Sequence, residues 1–427
     1  MFVAAYDSQL KWAMGIGEEF RARGWEQAVV VPSDMRSALS PEQVAAVGGP
    51  SIARLPWDEV LRRARGMDCV VLAVQGRLAA RFTDELELLR RSEPAAHEPV
   101  VVTGWVGIII EKLVAGYLDR AGSDVIAVNS ADNLREFLLA GRQLEVPPDN
   151  LLLSGLPLLP GRPAPTADGP VRTVVFADQP TVPEARWDRA YLYLRLADYA
   201  RQHPDRRVLL KPRHRPDEAT FHVMQDHPER VLARLGALPP NLEVVYDSVT
   251  SLLPTTDLLL TVSSTAGLEA IGRGVRTVFV ADLGIHEKHG NHVLMRSGLV
   301  ATMDDVIADR LPRADRAWLD DVFVGDVPPV RAIVDRVEQL HAVPPALRPA
   351  RTAAAGRYLS GRVAIRTQRA RLPAIARDPS GTAGVTSRRV LGHLMPLVRR
   401  GDLLLRALLP ASWHRAALDA WRRVRIA

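Results

Sequence analysis

Short apolar runs alternate with longer helical patterns twice along this chain of 427 residues, and that alternation limits the folds it can adopt. Asp7, Gly104 and Asn129 follow three of the runs in the first half. Short apolar runs separated by amphipathic segments are typical of parallel strands joined by crossover helices. The predicted strands cover residues 2–6, 27–31, 69–74, 99–103 and 125–128, and predicted helices between them cover 10–23, 57–65 and 134–140.

A second series of the same kind follows a linker rich in proline and glycine at residues 161–170. Its predicted strands cover 173–177, 208–211, 242–246, 257–261 and 277–281, and its predicted helices cover 186–202, 218–235 and 265–273. A chain of this length exceeds what one hydrophobic core usually supports. We therefore predict an α/β protein with two Rossmann-like parallel-sheet domains facing a cleft, over residues 1–160 and 171–343, plus a basic helical tail over 344–427.

The charge is distributed unevenly between the body of the chain and its tail. The segment from Ala346 onward holds 17 arginines, no lysine and three aspartates, so it carries +14 while the remainder carries −8. The high isoelectric point therefore belongs to the tail and does not indicate that the whole protein binds nucleic acid. Amphipathic helices are predicted at 390–409 and 413–426. They are compatible with bracing the first domain and with docking on an anionic membrane face.

The predicted compartment is the cytoplasm. The lone Cys69 lies in an apolar run and cannot form an internal disulfide, which suits a reducing environment. The first residues resemble a strand and lack the basic start of a signal peptide. No stretch approaches the roughly 20 apolar residues that span a bilayer. Any membrane association is therefore expected to be peripheral, on the inner face of the plasma membrane.

The strongest local motif is Ser263-Ser264-Thr265, which joins a predicted buried strand to a helix that carries Gly267 and Glu269. Backbone N–H groups and hydroxyls at a helix N-terminus suit a phosphate. Glu269, about one turn into the helix, would reach ribose hydroxyls. The alternative is that Ser264 or Thr265 only caps the helix, as such residues commonly do.

A basic turn follows the strand predicted at 208–211. Lys211, Arg213, His214 and Arg215 place four potential donors within five residues, and two prolines in the same stretch restrict the backbone. A phosphate or diphosphate favours such charge-assisted donors, and arginine favours bidentate contact. The alternative is a solvated basic turn. Two such loops in one α/β domain favour nucleotide binding.

The pairing of this basic turn with the Ser263-Ser264-Thr265 motif and Glu269 resembles the donor domain of GT-B glycosyltransferases, over about residues 171–299. By pattern, the nearest groups are bacterial sialyltransferases and polysialyltransferases and the CDP-glycerol glycerophosphotransferases, which build capsules and wall polymers. In those families a His-Pro motif and a Ser-Ser motif grip the phosphate of a CMP- or CDP-activated donor. Here Arg215 separates His214 from the next proline, so UDP stays open as the nucleotide. Residues 6–12 and 104–108 also resemble an uncharacterised glycosyltransferase family.

A histidine cluster follows the strand predicted at 277–281. His286, His289 and His292 recur at intervals of three, a pattern that also invites a zinc site. The resemblance instead implies a donor-contacting loop at this position, so we predict that His286 and Asn291 face the nucleotide. The remaining alternative is a solvated loop.

The first domain is expected to supply the acceptor side of the reaction. Inverting transfer needs a general base for the acceptor hydroxyl and electrostatic stabilisation of the leaving phosphate. Asp7 is the first candidate for the base and Glu111 the second, with capping of the first helix as the alternative role of Asp7. The residues predicted to line the acceptor groove are Lys11, Trp12, Gly104 and Trp105, although a tryptophan near a strand end is as often core.

Several motifs of other enzyme classes are missing from the sequence. It has no Asp-x-Asp metal motif at a strand end, no dinucleotide-binding glycine fingerprint, no P-loop and no nucleophile elbow. We therefore predict a metal-independent enzyme without a cofactor, which transfers a sugar from a nucleotide-sugar to a glycan or lipid-linked acceptor in cell-surface polysaccharide synthesis. The alternatives are an enzyme similar to UDP-N-acetylglucosamine 2-epimerase and a non-catalytic sugar-nucleotide or glycan-binding partner.

Overall fold

The structure is a computed structural model and describes residues 1–33, 39, 52–92, 97–216, 226–348, 362 and 364–365. By its internal contacts the chain divides into a compact unit, Met1–Val363, and a second unit, Ala364–Ala427. The elements below all belong to the first unit. The predicted tail helices at 390–409 and 413–426 lie outside the described residues. Within those residues, no helix is long and apolar enough to cross a bilayer.

The first half of the chain forms a parallel sheet. Its strands are β1 Phe2–Ala4, β2 Val29–Pro32, β3 Ile52–Leu55, β4 Cys69–Ala73, β5 Val100–Gly104, β6 Val125–Val128 and β7 Leu151–Leu153. They lie in the order β3-β2-β1-β4-β5-β6-β7, and Val3 pairs with Val30 on one side and Leu72 on the other. Strands β1, β2, β4, β5 and β6 are buried along their whole length, as expected for a parallel sheet covered on both faces.

Five helices of the described chain accompany this sheet. They are α1 Asp7–Ala22, α2 Trp57–Ala64, α3 Gly76–Ser92, α4 Leu113–Arg120 and α5 Ala131–Leu144. Helix α1 follows β1 directly and buries Leu10, Met14 and Ile16 against the core. Helix α5 begins where the Ser130 side chain accepts a hydrogen bond from the backbone N–H of Asn133. This is the usual way to satisfy a free donor at a helix start.

The second half forms another parallel sheet. Its strands are β8 Thr173–Ala177, β9 Arg207–Lys211, β10 Leu242–Val244, β11 Leu258–Thr261, β12 Arg276–Val280 and β13 Val300–Ala301. They lie in the order β10-β9-β8-β11-β12-β13. The strand order reverses between β8 and β11 here, and between β1 and β4 in the first sheet. Ligands of open α/β sheets bind outside the carboxyl ends of the strands at such switch points.

The helices of the second half are mostly short. The α-helices are α6 Arg186–Gln202, α7 Pro228–Leu232, α8 Val249–Leu252, α9 Thr265–Gly272, α10 Met303–Ile307, α11 Arg316–Val322 and α12 Pro329–His341. The 3₁₀ helices cover Leu253–Thr255, Glu287–His289, Asn291–Ser297 and Pro345–Leu347. Helix α9 starts at the carboxyl end of β11, so its N-terminus faces the crevice.

Helix α12 crosses back to the first half of the chain. Its buried residues Ile333, Val334 and Val337 belong to the same core cluster as the apolar residues of α1 and the first sheet. Arg23, just after α1, adds ion pairs to Asp335 and Glu338 at 2.6 and 2.7 Å. The predicted second domain, 171–343, therefore contains a helix that packs on the first sheet. The domain boundaries stay a prediction.

Most predicted elements are present with ends shifted by a few residues. The predictions of β6, β8 and α6 are confirmed to the residue. Strand β3 was not predicted, because its four residues are only partly buried and show no long apolar run. The helix predicted at 218–235 is limited to Pro228–Leu232 in the described chain, since residues 217–225 lie outside it.

Candidate functional site

A cavity of about 990 Å³ lies between the carboxyl ends of the two sheets. Loops after β4 and β5 line it from the first half, and loops after β8, β9 and β11 line it from the second. The lining residues include Gln75, Gly76, Arg77, Gly104, Trp105, Gly107, Glu111, Arg120, Asp178, Gln179, Arg213, Ser263, Ser264 and Thr265. The cavity is large enough for a sugar nucleotide, because small-molecule sites usually range from about 300 to 1,000 Å³.

The Ser263-Ser264-Thr265 turn begins α9 on the wall formed by the second half. Ser264 accepts a hydrogen bond from the Ala266 N–H, so it caps the helix. The Ser263 hydroxyl donates to the His289 carbonyl at 2.6 Å and braces a neighbouring loop. Thr265 lines the cavity, and its hydroxyl makes no hydrogen bond within the described residues. Two of the three hydroxyls therefore hold the turn, and the third is available to a ligand.

A buried polar network holds the loop after β8 against this turn. Arg189 binds both carboxylate oxygens of Asp178 at 2.8–2.9 Å and donates to the carbonyls of Gln179, Pro180 and Pro183. Burial raises the pKa of the Asp178 carboxyl, and the Arg189 charge acts in the opposite direction.

The same loop contacts the serine turn through Gln179. Its side-chain oxygen accepts from the Ser263 N–H at 2.8 Å, and its amide donates to the Ser263 hydroxyl. The loops after β8 and β11 are thus joined at the switch point of the second sheet.

In the basic turn after β9, the side chains of Lys211, Arg213 and His214 have different surroundings. Arg213 lines the cavity and forms an ion pair with Asp7, with 2.5 Å between Arg213 Nη2 and Asp7 Oδ2. Lys211 Nζ donates to the Pro212 carbonyl at 2.6 Å. The buried His214 ring contacts the Arg215 carbonyl through Nδ1, and its Nε2 has no hydrogen-bond partner among the described residues. Arg213 is therefore the member of the turn that lines the cavity.

Glu269 and Lys11 form a second ion pair between the two halves of the chain. Lys11 Nζ lies 3.0 Å from Glu269 Oε2 and 3.4 Å from the Thr250 hydroxyl. The Glu269 side chain is 8% exposed and the Lys11 side chain 44% exposed. Helix α1 of the first half and helix α9 of the second are therefore held together next to the cavity.

The predicted acceptor side is partly in the cavity and partly in the core. Gly104 and Trp105 line the cavity. The prediction that Trp12 lines a groove is wrong, because its ring is fully buried and packs beneath Gly104. A methyl group on Gly104 would lie 2.8 Å from that ring, so glycine is needed there. Glu111 lines the cavity, but its side chain is 69% exposed and lies 4.0 Å from Lys112.

The loop of the histidine cluster lies beside the cavity lining and not in it. Asn291 is buried and ties the loop together, accepting from the His286 N–H and donating to the Gly284 carbonyl at 3.0 Å each. The His286 ring is more than half exposed and accepts from the Lys288 N–H. Neither His286 nor Asn291 is among the cavity-lining residues, and Asn291 binds the loop's own backbone, so a contact of these two residues with the nucleotide stays a prediction. In the described ranges, no three His, Cys, Asp or Glu side chains converge as metal ligands.

Asp178, Gln179 and Arg120 are site residues that the sequence alone did not predict. Asp178 and Gln179 follow β8 as ordinary polar residues, and the position of a strand end beside a switch point was the available signal. Arg120 ends α4 and is buried beside Trp105, with its guanidinium carbon 4.3 Å from the ring centre. No local motif marks it, because its partners Gly104 and Trp105 belong to a separate segment, at the end of β5.

Solved structures of other proteins are similar to this chain. A protein named as a "putative UDP-N-acetylglucosamine 2-epimerase" from Listeria monocytogenes is similar with a TM-score of 0.51 and 13% identity, covering 78% of this chain and 94% of that one. HepE from Anabaena in complex with UDP-glucose gives a TM-score of 0.47 and 14% identity, covering 80% of this chain and 99% of that one. MurG from Acinetobacter baumannii gives a TM-score of 0.43 and 12% identity, covering 81% of this chain and 99% of that one. At 13% identity, the similarity to the protein from Listeria monocytogenes concerns the fold alone.

The predicted fold class is confirmed for the described chain, which has two Rossmann-like parallel-sheet domains in a GT-B-like arrangement. No curated protein matches the sequence at a significant level. A protein family matches residues 1–340, which is most of the chain and includes both sheets. This protein belongs to that family, which is described as "Putative glycosyltransferase (DUF6716)".

Proposed function

We propose that this glycosyltransferase moves a sugar from a nucleotide-activated donor to a hydroxyl of a glycan or lipid-linked acceptor in cell-surface polysaccharide synthesis. The observation that carries the proposal is the contact between Arg213 and Asp7 at the cavity. A displacement at a sugar carbon needs a cation near the leaving phosphate and a base near the incoming hydroxyl. Arg213 and Asp7 come from opposite halves of the chain and supply these two groups at one place.

The donor is proposed to bind on the wall formed by the second half. The free hydroxyl of Thr265 and the guanidinium of Arg213 would contact the phosphates at the N-terminus of α9. Glu269 would accept from the ribose hydroxyls in place of Lys11. Lys211 and His214 would shape the basic turn, while Ser263 and Ser264 hold the phosphate-binding turn in its conformation. A CMP- or CDP-activated donor is our first expectation, with UDP as the alternative.

The acceptor is proposed to bind on the wall formed by the first half, along Gly104 and Trp105. Asp7, which pairs with Arg213 beside the cavity, is the proposed base, and Glu111 is the second candidate because it lines the cavity itself. No residue in this scheme requires a metal ion.

The proposed setting of the reaction is the cytoplasmic face of the plasma membrane. The reason is the 17 arginines spread over the segment from Ala346 onward, which would be attracted to anionic lipids beside a lipid-linked acceptor. Vesicle co-sedimentation of the full chain tests this part independently. Binding that requires anionic lipid and falls with salt is expected, whereas no binding to such vesicles would contradict the membrane setting.

A thermal-shift panel of CMP, CDP, UDP, GDP and dTDP tests the donor site directly. A nucleotide that binds the native state raises the melting temperature, so selective stabilisation by one nucleotide is expected. Thr265→Val has the same shape without the hydroxyl and should reduce that stabilisation. Thr255→Val is the matched control, because Thr255 is exposed and bonds the Leu252 carbonyl in its own turn. Stabilisation by none of the five nucleotides would contradict the proposal.

A sugar-nucleotide epimerase is the second candidate, favoured by the shared fold with the protein from Listeria monocytogenes. An epimerase changes the sugar of its nucleotide without an acceptor. Incubating the purified protein with a binding sugar nucleotide alone separates the two reactions. An epimeric sugar nucleotide without acceptor favours the epimerase, and consumption of donor that depends on added acceptor favours the transferase.

A further inference from the structure

Arg120 is a buried cation on the cavity wall formed by the first half of the chain. It is 5% exposed and ends helix α4. Its Nε donates to the Gly104 carbonyl at 2.8 Å and its Nη1 to the Gly116 carbonyl at 2.9 Å. Its Nη2 makes no hydrogen bond within the described residues. The guanidinium is therefore anchored through Nε and Nη1, and its Nη2 is available to a ligand.

No carboxylate in the described part of the chain lies within 4.0 Å of Arg120. Its charge is offset by two carbonyls, by the face of Trp105, by the C-terminal end of α4 and, through space, by the Asp119 carboxylate. Burial lowers the pKa of Arg120 to about 10, so the group is still a cation at neutral pH. A buried charge that lacks a paired anion is costly and is usually compensated.

The chain leaves room at this cation by using glycine. A methyl group on Gly76 would lie 2.9 Å from both Arg120 Nη1 and Asp119 Oδ2, so the space next to these two groups depends on glycine at this position. This glycine lines the cavity, as do the basic residues Arg77 and Lys112. The acids that line the same region are Glu111 and Asp119, and Asp119 acts on Arg120 only through space.

Arg120 is distinct from the phosphate-binding group proposed for the donor. Arg213 and Thr265 belong to the second half of the chain, whereas Arg120 belongs to the half that is expected to take the acceptor. We propose that Arg120 is the centre of an anion site for a phosphate or carboxylate group of the acceptor substrate. This inference rests on the proposed function, because it needs an acceptor in the same cavity. Charge-assisted hydrogen bonds from a buried guanidinium would then select acidic acceptors over neutral ones.

Anion binding to the full chain tests the proposal, with pyrophosphate, inorganic phosphate and acetate as probes. Each anion is titrated by calorimetry into the protein without nucleotide and then into the protein saturated with any nucleotide found to bind. The bound nucleotide blocks the donor phosphate site in the second titration. We expect one anion site to persist with nucleotide bound, and Arg120→Gln to weaken it at least tenfold. Arg316→Gln, at an exposed arginine, should leave it unchanged. Preference for pyrophosphate or phosphate indicates a phosphorylated acceptor, and preference for acetate indicates an acceptor carboxylate.

The variants distinguish this inference from the proposed donor site. Arg213→Gln should weaken nucleotide binding and leave the Arg120 anion site intact. Nucleotide binding with no separate anion site would overturn the inference alone. An anion site that depends on Arg120, without nucleotide binding, would overturn the donor assignment alone.

A second variant keeps the proposal testable if Arg120→Gln does not fold. Arg120→Lys retains the charge but is too short to hold both carbonyls and reach the cavity, so at least tenfold weaker binding is again expected. Wild-type affinity for all three anions in folded Arg120→Lys would contradict the proposal.

Discussion

Arg213 and Asp7 are 206 positions apart in the chain, yet Arg213 Nη2 lies 2.5 Å from Asp7 Oδ2 beside the cavity. Asp7 begins α1 but does not cap it, since the capping position is Tyr6 and its side chain makes no cap hydrogen bond. The carboxylate is directed instead at the basic turn of the other half. The alternative role of Asp7 as a helix cap is therefore not what the structure shows.

Asp7→Asn should remove transfer and preserve donor binding. If Asp7 is the base, its loss should lower kcat by about 10²- to 10⁴-fold, as for other general bases. The amide has the same shape, so Arg213 stays in place for the phosphate. Asp58→Asn, at an exposed residue of α2, is the control. Steady-state rates with calorimetric nucleotide affinities decide the matter, and wild-type turnover in Asp7→Asn would exclude Asp7 as the base.

Glu269→Gln should weaken nucleotide binding through the ribose. A hydrogen bond to a carboxylate stabilises by about 1.5–3 kcal/mol, so an affinity loss of roughly ten- to hundredfold is expected. The loss should be much smaller for the matching 2′-deoxynucleotide, which lacks one donor. Glu243→Gln, at an exposed ion pair of β10, is the control. An equal loss for both nucleotides would count against a ribose contact.

Arg189→Met should lower the free energy of unfolding of the protein, measured with no ligand bound. It leaves the buried Asp178 carboxylate with hydrogen bonds from Tyr193 and the Gln179 backbone N–H but without its cation, and breaking a buried pair in this way costs about 3–5 kcal/mol. Adding Asp178→Asn to this variant should recover part of the loss, because the two residues are coupled. Urea unfolding measures both effects, with Arg201→Met as an exposed control. A cost below about 1 kcal/mol would show that the network does not stabilise the fold.

Ile333→Ala should reveal the role of α12 as a brace between the halves. Ile333 is fully buried in the core shared with α1 and the first sheet, so a loss of about 2–5 kcal/mol is expected in the free energy of unfolding. Val327→Ala, at an exposed residue just before the helix, should be nearly neutral. Equal effects of the two substitutions would mean that α12 does not stabilise the fold.

Cys69 should be unreactive in the native state at ordinary pH. Burial raises the pKa of its thiol to about 12, so only about one molecule in 10⁴ is a thiolate at pH 8. Labelling with a disulfide reagent should be slow in the folded protein and rapid in denaturant. An unfolded thiol ionises near pH 9, below the native value, so this group makes the native state less stable as pH rises above about 9. Rapid labelling of folded protein at pH 8 would contradict this prediction.

The sequence by itself determined the elements whose residues lie in continuous apolar runs. Strands β6 and β8 and helix α6 are predictable because local pattern and final burial agree. The polar loops at strand ends could also be predicted to meet, because the carboxyl ends of parallel strands share one edge of a sheet. For this reason the sequence predicts that Arg213 and Thr265 lie at the same edge of the sheet.

Only the tertiary structure decided which side chains face the cavity and which hold the fold. Trp12 and Asn291 lie in suitable loops or helices by sequence, but long-range packing buries both. Arg120 shows no motif, because its environment is made by Gly76 and by the pair Gly104 and Trp105, from two other segments of the chain. Local patterns report propensity and burial, whereas the direction of a single side chain depends on contacts between distant parts of the chain. The physical reason is that such contacts join residues far apart in the chain, so no local pattern encodes them.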